Sequence, residues 1–128
     1  MNEDNYHGII LNISQRDRSI FDDLKIVGKR NVLPGIIVLF KVEVASSVLE
    51  LLIQKLQANM AKRFLYLIHE FYCHFYCGNE LIIVFRNKVF HVTTDRSSWI
   101  DAIEYGKSLG IPIKQLDFIP YKVEDEKY

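Results

Sequence analysis

The stretch FYCHFYC, Phe71–Cys77, brings two thiols, an imidazole and two phenols into one short run. Cysteine and histidine are the ligands that zinc prefers, and a cysteine beside a histidine can also act as an activated nucleophile. The run could therefore hold a metal ion, supply a nucleophile with its base, or be an ordinary strand. The choice depends on the secondary structure that positions these side chains.

Cys73 and Cys77 are the only two cysteines in the chain. In an extended strand, four residues span ~13 Å, which is too far for both sulfurs to reach one ion or to form a disulfide. If the run were helical, His69 would align with both thiols, but no fourth ligand is evident. The sequence therefore predicts no metal and no cofactor, and it indicates reduced thiols that act as small apolar side chains.

A nucleophilic pairing of Cys73 with His91 is also not expected. In the sheet predicted below, Val84 lies between these two residues, and two strand spacings amount to ~9.6 Å. A proton can pass directly only between groups about 3 Å apart. No catalytic residue is predicted.

His74 alternates with Tyr72 and Tyr76 on one face of the same strand. The three side chains could line a pocket for a small molecule. Alternatively, His74 is a core histidine with its nitrogens satisfied, and the two tyrosine hydroxyls reach the rim. Tyr72, His74 and Tyr76 are therefore the candidate ligand-binding residues.

The first half of the chain alternates between strand-like and helix-like patterns. Ser19 and Ser47 are the predicted caps at the starts of the two helices, and Pro34-Gly35 marks a turn. The predicted elements are a strand at Gly8–Ser14, a helix from Ser19 to Gly28, a turn at Lys29–Gly35, a strand at Ile36–Val44 and a helix from Ser47 to near Lys62.

The second half contains two tight-turn signals that predict a meander of three antiparallel strands starting near Phe71. A helix follows, and Gly110 is a natural cap for its C-terminus. The remaining predictions are loops at Gly78-Asn79 and Asn87-Lys88, a helix at Ser97–Leu109 and a short strand at Gln115–Pro120.

From Ile36 onward the order of elements is β-α-β-β-β-α-β. This order predicts an α+β fold that is ferredoxin-like, with a split βαβ antiparallel sheet and helices on one face. The N-terminal β-α unit would extend it with an edge strand. The length of 128 residues fits one domain, which we place at residues 1–121, with a flexible charged tail at 122–128.

Alternation along the meander separates two faces. We expect one face to lie under the helices: Tyr72, His74, Tyr76, Leu81, Ile83, Phe85, Phe90 and Val92. The other face would stay exposed if helices cover only one side, and exposed apolar patches usually bind a partner. Symmetric dimers are the commonest oligomers. The residues predicted to form such an interface are Cys73, Phe75, Ile82, Val84 and His91.

Sixteen basic and sixteen acidic residues cancel, so no global field draws the chain to nucleic acid or membranes. Aromatic residues in a sheet invite comparison with RNA-recognition motifs, but ELIIVFRNKVF lacks their basic-glycine-aromatic signature. The polar start MNEDNYHG lacks a secretory pattern, and no apolar run approaches the ~18–20 residues that span a bilayer. These features predict a cytoplasmic protein without membrane contact.

The segments YCHFY, NELIIVF, SSW and YGKSLGIPIKQLDF together resemble small uncharacterised prokaryotic proteins over residues 71–119. This resemblance implies no activity, cofactor or partner.

The sequence thus favours a non-catalytic binding or assembly module that forms a homodimer through the face of Cys73 and Phe75. The alternative is a small-molecule-binding protein or enzyme with its pocket around Tyr72, His74 and Tyr76. An RNA-binding protein is the third possibility.

Overall fold

The computed structural model describes residues 5–62 and 70–116, and within them six strands form one antiparallel sheet. The strands are β1 (Asn5–Leu11), β2 (Lys25–Leu33), β3 (Ile37–Ala45), β4 (Tyr72–Cys77), β5 (Glu80–Phe85) and β6 (Lys88–Thr93). The α-helices of this part of the chain are α1 (Ser46–Asn59) and α2 (Ile100–Ser108). Short 3-10 helices lie at Asn12–Ser14, Arg18–Asp23, Arg96–Trp99 and Ile113–Gln115.

The order of strands across the sheet is β2-β3-β1-β4-β5-β6. The α+β class is therefore confirmed, but this order is not that of a split βαβ unit, and the ferredoxin-like topology is not confirmed. The N-terminal strand, which we expected at the edge, lies at the centre. Gly8 of β1 is opposite Val42 of β3 on one side and opposite Phe75 of β4 on the other.

The predicted helix at Ser19–Gly28 is shorter than expected. It is a 3-10 helix over Arg18–Asp23, capped by the Asp17 side chain, which accepts a hydrogen bond from the Ser19 amide at 3.0 Å. The chain then enters β2, where Ile26 is paired with β3. Pairing with a neighbouring strand thus outweighs the local helical pattern.

The predicted turn at Lys29–Gly35 is also shorter than expected, because β2 continues to Leu33. The actual turn occupies residues 34–36, and Gly35 adopts φ +77° there. Proline followed by glycine suits this turn, since glycine tolerates a positive φ.

Helix α1 ends at Asn59, close to the predicted end near Lys62. The side chains that it buries are Leu49, Leu52, Ile53 and Leu56. Val48 lies on the solvent side of the helix and is exposed. Helix α1 begins at Ser46 with Ala45 as its N-cap residue, so Ser47, which was expected to cap the helix, lies inside it.

The β4–β5 hairpin has the predicted register, in which Tyr72 is opposite Phe85 and Tyr76 is opposite Leu81. The β5–β6 hairpin is two residues out of the predicted register, so Ile83 is opposite Phe90. Its loop is Arg86-Asn87. A shift of two residues is one full period of a strand, and each side chain therefore keeps its predicted face.

The two α-helices lie on opposite faces of the sheet. Helix α1 packs on the face that carries Cys73, Phe75, Ile82 and Val84, called here the α1 face. Helix α2 packs on the other face, the α2 face, against a cluster that includes Leu81, Ile83 and Phe85. The expectation of helices on one side only is wrong, because both faces are apolar and each needs a covering layer.

The interface predicted from the sequence is consequently buried within one chain. Cys73, Phe75, Ile82 and Val84 lie beneath α1, and His91 alone of the five residues is exposed. These four side chains contribute to the core and offer no surface to a second copy.

The segment around α2 follows the prediction closely. Asp95 caps the Arg96–Trp99 turn, and its hydrogen bonds from Ser97 hold the pKa of its carboxyl below the ordinary value. The chain after α2 turns at Gly110, where φ is +86°. Residues 113–115 form a 3-10 turn instead of the start of a strand.

The remainder of the predicted last strand and the predicted tail at 122–128 lie outside the described residues. Among the helices of the described ranges, none is both long and apolar enough to cross a bilayer.

Candidate ligand-binding groove

An open groove of about 440 Å³ lies on the α2 face, beside the part of the sheet that α2 covers. Most of its walls are apolar side chains, which come from β1, β2 and β3, from the turn after β1, and from the segments before β4 and after α2: Ile9, Leu11, Ile13, Val32, Ile37, Leu39, Phe71 and Ile111. Its polar side chains are Glu70, Tyr72, His74 and Gln115.

Strand alternation and register place these walls. Leu11 is opposite Leu39 across the β1–β3 ladder, so the two leucines are neighbours on one face. Ile9 is opposite His74 of β4 on its other side. The groove therefore depends on the insertion of β1 between β3 and β4, since β1 provides the apolar floor next to the imidazole.

His74 is buried in the wall of the groove, with 6% of its surface exposed. Its ring lies between those of Tyr72 and Tyr76, and both ring centroids are 6.4 Å from the imidazole. The Tyr72 hydroxyl donates a hydrogen bond to the backbone carbonyl of Gln115, which ties β4 to the segment after α2. The structure thus brings together the three residues predicted as a site.

Tyr76 has a different role from its two partners, because it lies next to the groove and does not line it. Its ring contacts His7, at a centroid distance of 5.9 Å. The Lys41 ammonium lies 5.3 Å from the centroid of the same ring, within the range of a cation–π contact.

A row of charged and polar side chains continues from Tyr76 toward the β2 edge. Glu43 lies 3.6 Å from the His7 imidazole and 3.2 Å from the Lys25 ammonium. Asn5 donates a third contact to the same carboxylate, at 3.1 Å. These contacts fix the polar end of β1 and β3 beside the apolar groove.

Lys41 is a residue whose burial the sequence did not predict. It has no exposed surface, although lysine side chains are rarely fully buried. Strand alternation gives one indication of this burial, because Lys41 shares a face with the apolar Ile37 and Leu39. Its contact with Tyr76 becomes visible only when β1 joins β3 to β4.

Two cationic side chains stand near the groove. Arg86 forms an ion pair with Glu70 at 3.1 Å, so the carboxylate that lines the groove is compensated. Arg30 is opposite Leu39 in the β2–β3 ladder and is exposed. Since Leu39 lines the groove, Arg30 places a positive charge on the same face of the sheet, on the β2 side and away from His74 of β4.

The cysteines lie away from the groove. Cys73 is on the α1 face, and burial raises the pKa of its thiol to about 12. Its partner in the ladder is Val84, whereas the partner of His91 is Ile82, so Cys73 and His91 are not neighbours. No group of three or more potential metal-ligating side chains occurs within residues 5–62 and 70–116.

A second cavity, of about 580 Å³, lies between α1 and the β5–β6 hairpin and includes His91. Two polar side chains at this cavity are engaged with the protein itself. The Tyr6 hydroxyl donates to Glu80 at 2.6 Å, and the Gln57 amide donates to the Phe85 carbonyl at 2.9 Å. The apolar groove is therefore the better candidate for a ligand site.

Comparison with known proteins adds no assignment to this geometry. No family model, no curated protein and no solved structure matches the chain.

Proposed function

We propose that this protein binds an amphipathic small molecule in the groove, with the apolar body of the ligand on the β1–β3 floor and its polar end at His74. The observation that carries the proposal is an apolar groove with its polar groups gathered on one side. Ligand sites have this composition, since apolar walls provide affinity and a few polar groups fix orientation.

The size of the groove supports a small molecule over a large partner. Its volume of about 440 Å³ falls within the ~300–1,000 Å³ that is usual for ligand pockets. The walls formed by Leu11, Ile37 and Leu39 come from paired strands, so they are held in place before a ligand arrives. A preformed site reduces the entropy lost on binding.

The polar side of the groove supports a ligand with one hydrogen-bonding end. An imidazole provides both a donor and an acceptor, and the Gln115 side chain provides the same pair. Both side chains can donate to a carboxylate, which is an acceptor only. The expected ligand class is therefore an apolar carboxylic acid or a related amphipathic acid.

Homodimer formation and a cytoplasmic location stay predictions. The proposed dimer would need a surface other than the α1 face, because α1 covers Phe75 and Val84. An RNA-binding role has no specific observation in its favour.

The proposal is tested by filling the groove. Binding is measured with the fluorescent dye anilinonaphthalene sulfonate and by its displacement with decanoate. We expect Leu39→Trp to lower the affinity for both compounds at least roughly tenfold, since a loss of ~1.4 kcal/mol of binding free energy suffices. Val48→Trp, at an exposed position on α1, is the matched control and should bind as the wild type does. Circular dichroism melts of both variants verify that the fold is retained.

The polar end is tested by comparing two histidines. His74→Ala should reduce the preference for decanoate over decanol, whereas His91→Ala, outside the groove, should leave it unchanged. Wild-type affinity for decanoate in a folded Leu39→Trp variant would contradict the proposal. So would a wild-type protein that binds neither the dye nor decanoate.

A further inference from the structure

Strand β2 forms one edge of the sheet and is exposed along almost its whole length. Among the six described strands it pairs with β3 alone, and of its nine residues all except Gly28 are exposed. An edge strand presents a row of unpaired backbone amides and carbonyls on its outer side. Another extended segment can pair with such a row.

We propose that the β2 edge binds an extended, acidic segment of another protein, which adds to the six-stranded sheet as a further strand. Backbone hydrogen bonds would supply affinity, and side-chain charges would select the partner. Val32 of β2 lines the groove, whereas Lys29 and Arg30 do not, so this proposal can be tested at side chains outside the groove wall.

The charges on β2 favour an acidic partner. Its three charged side chains are Lys25, Lys29 and Arg30, and all are cationic. Lys25 is already paired with Glu43 at 3.2 Å. No acidic side chain among the described residues pairs with Lys29 or Arg30, so these two cations are available to a partner.

The two available cations point to opposite faces of the sheet. Lys29 is opposite Phe40 of β3, and Arg30 is opposite Leu39, the next residue along that strand. An added strand with acidic side chains at two successive positions would therefore meet one cation on each face. Cross-strand pairs of opposite charge are stabilising, by ~0.2–1 kcal/mol each.

Lys29 and Arg30 lie in the part of β2 whose pairing with β3 is regular. Irregularities interrupt the β2–β3 register between Ile26 and Gly28 and again between Asn31 and Leu33. Bulges at an edge restrict indiscriminate pairing. The stretch Gly28–Asn31 stays regular, so it is the part of the edge best suited to accept a strand.

A second copy of the chain fits this edge less well. An antiparallel ladder of two β2 strands, centred on the regular stretch, brings Lys29 and Arg30 of one copy near those of the other. Like charges opposite one another destabilise a ladder. The opposite edge, β6, is shorter, and its Lys88 ammonium already lies over the Phe90 ring at 5.2 Å.

The test is fluorescence anisotropy with a labelled, extended peptide in which pairs of adjacent glutamates alternate with pairs of valines, so that glutamates lie on both faces of the added strand. Two control peptides carry lysine in place of glutamate or proline in place of valine. We expect saturable binding of the acidic peptide and no binding of either control peptide. The double variant Lys29→Glu/Arg30→Glu should lose this binding by at least tenfold and should prefer the lysine peptide. Lys62→Glu/Lys107→Glu makes the same change of charge elsewhere and should bind as the wild type does.

Hydrogen exchange separates strand addition from loose charge attraction. The acidic peptide should slow amide exchange within β2 and leave β6 unchanged. Equal binding of the proline peptide, or unchanged exchange in β2, would overturn the proposal. The proposal would also be overturned if the wild-type protein self-associates in sedimentation and the Lys29→Glu/Arg30→Glu variant alters this self-association. The occupant of the edge would then be a second copy of the chain.

Discussion

Cys73 shows how burial controls the chemistry of a reactive side chain. The thiol is 1% exposed beneath α1, and burial raises its pKa to about 12. The thiolate is the reactive form, so a thiol held protonated at neutral pH is chemically quiet. In sequence the residue is part of a run that suggests chemistry, and in the fold it is a small core side chain.

We therefore predict that Cys73 resists thiol reagents until the chain unfolds. In Cys77→Ser, which leaves Cys73 as the only thiol, labelling by dithionitrobenzoate at pH 8 should be at least tenfold slower than in denaturant. In Cys73→Ala, half-buried Cys77 should label measurably faster than Cys73 does. Rapid labelling of Cys73 in the native protein would mean that α1 does not cover this face.

At the scale of elements, the central strand β1 depends on one close contact. Gly8 is opposite Phe75 in the β1–β4 ladder, and the aromatic ring lies over the glycine. A Cβ atom added at Gly8 would lie 2.4 Å from two atoms of that ring. Since Phe75 is fully buried, the ring has little room to move away.

We predict that Gly8→Ala lowers the free energy of unfolding by roughly 1–3 kcal/mol, as overpacking of a core does. Phe75→Leu should also destabilise the fold, because it leaves a cavity. The double variant should be more stable than the sum of the two losses predicts, since the smaller side chain gives the new methyl group room. Urea denaturation of the four proteins measures this coupling, and strict additivity would show that the contact is not the cause.

Some elements could be predicted because local chemistry determines them. Gly78 adopts φ +57°, and Gly78-Asn79 forms a two-residue loop, which sets the register of the β4–β5 hairpin. The next loop has no glycine, and the register predicted for the β5–β6 hairpin differs from the observed one by two residues. Residues 25–28 carry a helical pattern, yet they form the start of β2 because pairing with β3 outweighs local preference.

At the scale of the whole molecule, the position of β1 could not be read from the sequence. Alternation gave the faces of β4 and β5 correctly, and it placed Tyr72 and His74 together. It could not show that β1 lies between β3 and β4, because strand order depends on contacts between distant segments. The apolar walls at Ile9 and Leu39, and the burial of Lys41, follow from that order.

The same non-local choice decides which helix covers which face. Two apolar faces and two amphipathic helices are compatible with helices on one side and a dimer on the other. They are equally compatible with one helix on each side. The second arrangement hides both faces within a single chain, and it is the one that the fold adopts.

These two arrangements predict different fates for a charge placed on the α1 face. In a dimer interface, Val84→Asp would dissociate the dimer and leave folded monomers. In this fold Val84 is fully buried within one chain. An uncompensated charge there costs several kcal/mol, comparable to the whole stability of a small domain. We therefore predict that Val84→Asp unfolds the protein.

The same charge should be tolerated where α1 faces solvent. Val48 is 51% exposed, and Val48→Asp should change the stability by no more than about 0.5 kcal/mol. Circular dichroism and sedimentation of both variants distinguish the arrangements. A Val84→Asp protein that keeps the wild-type melting transition and merely changes its oligomeric state would show that this face is an interface after all. Loss of the transition in Val84→Asp alone would show that α1 holds the face closed.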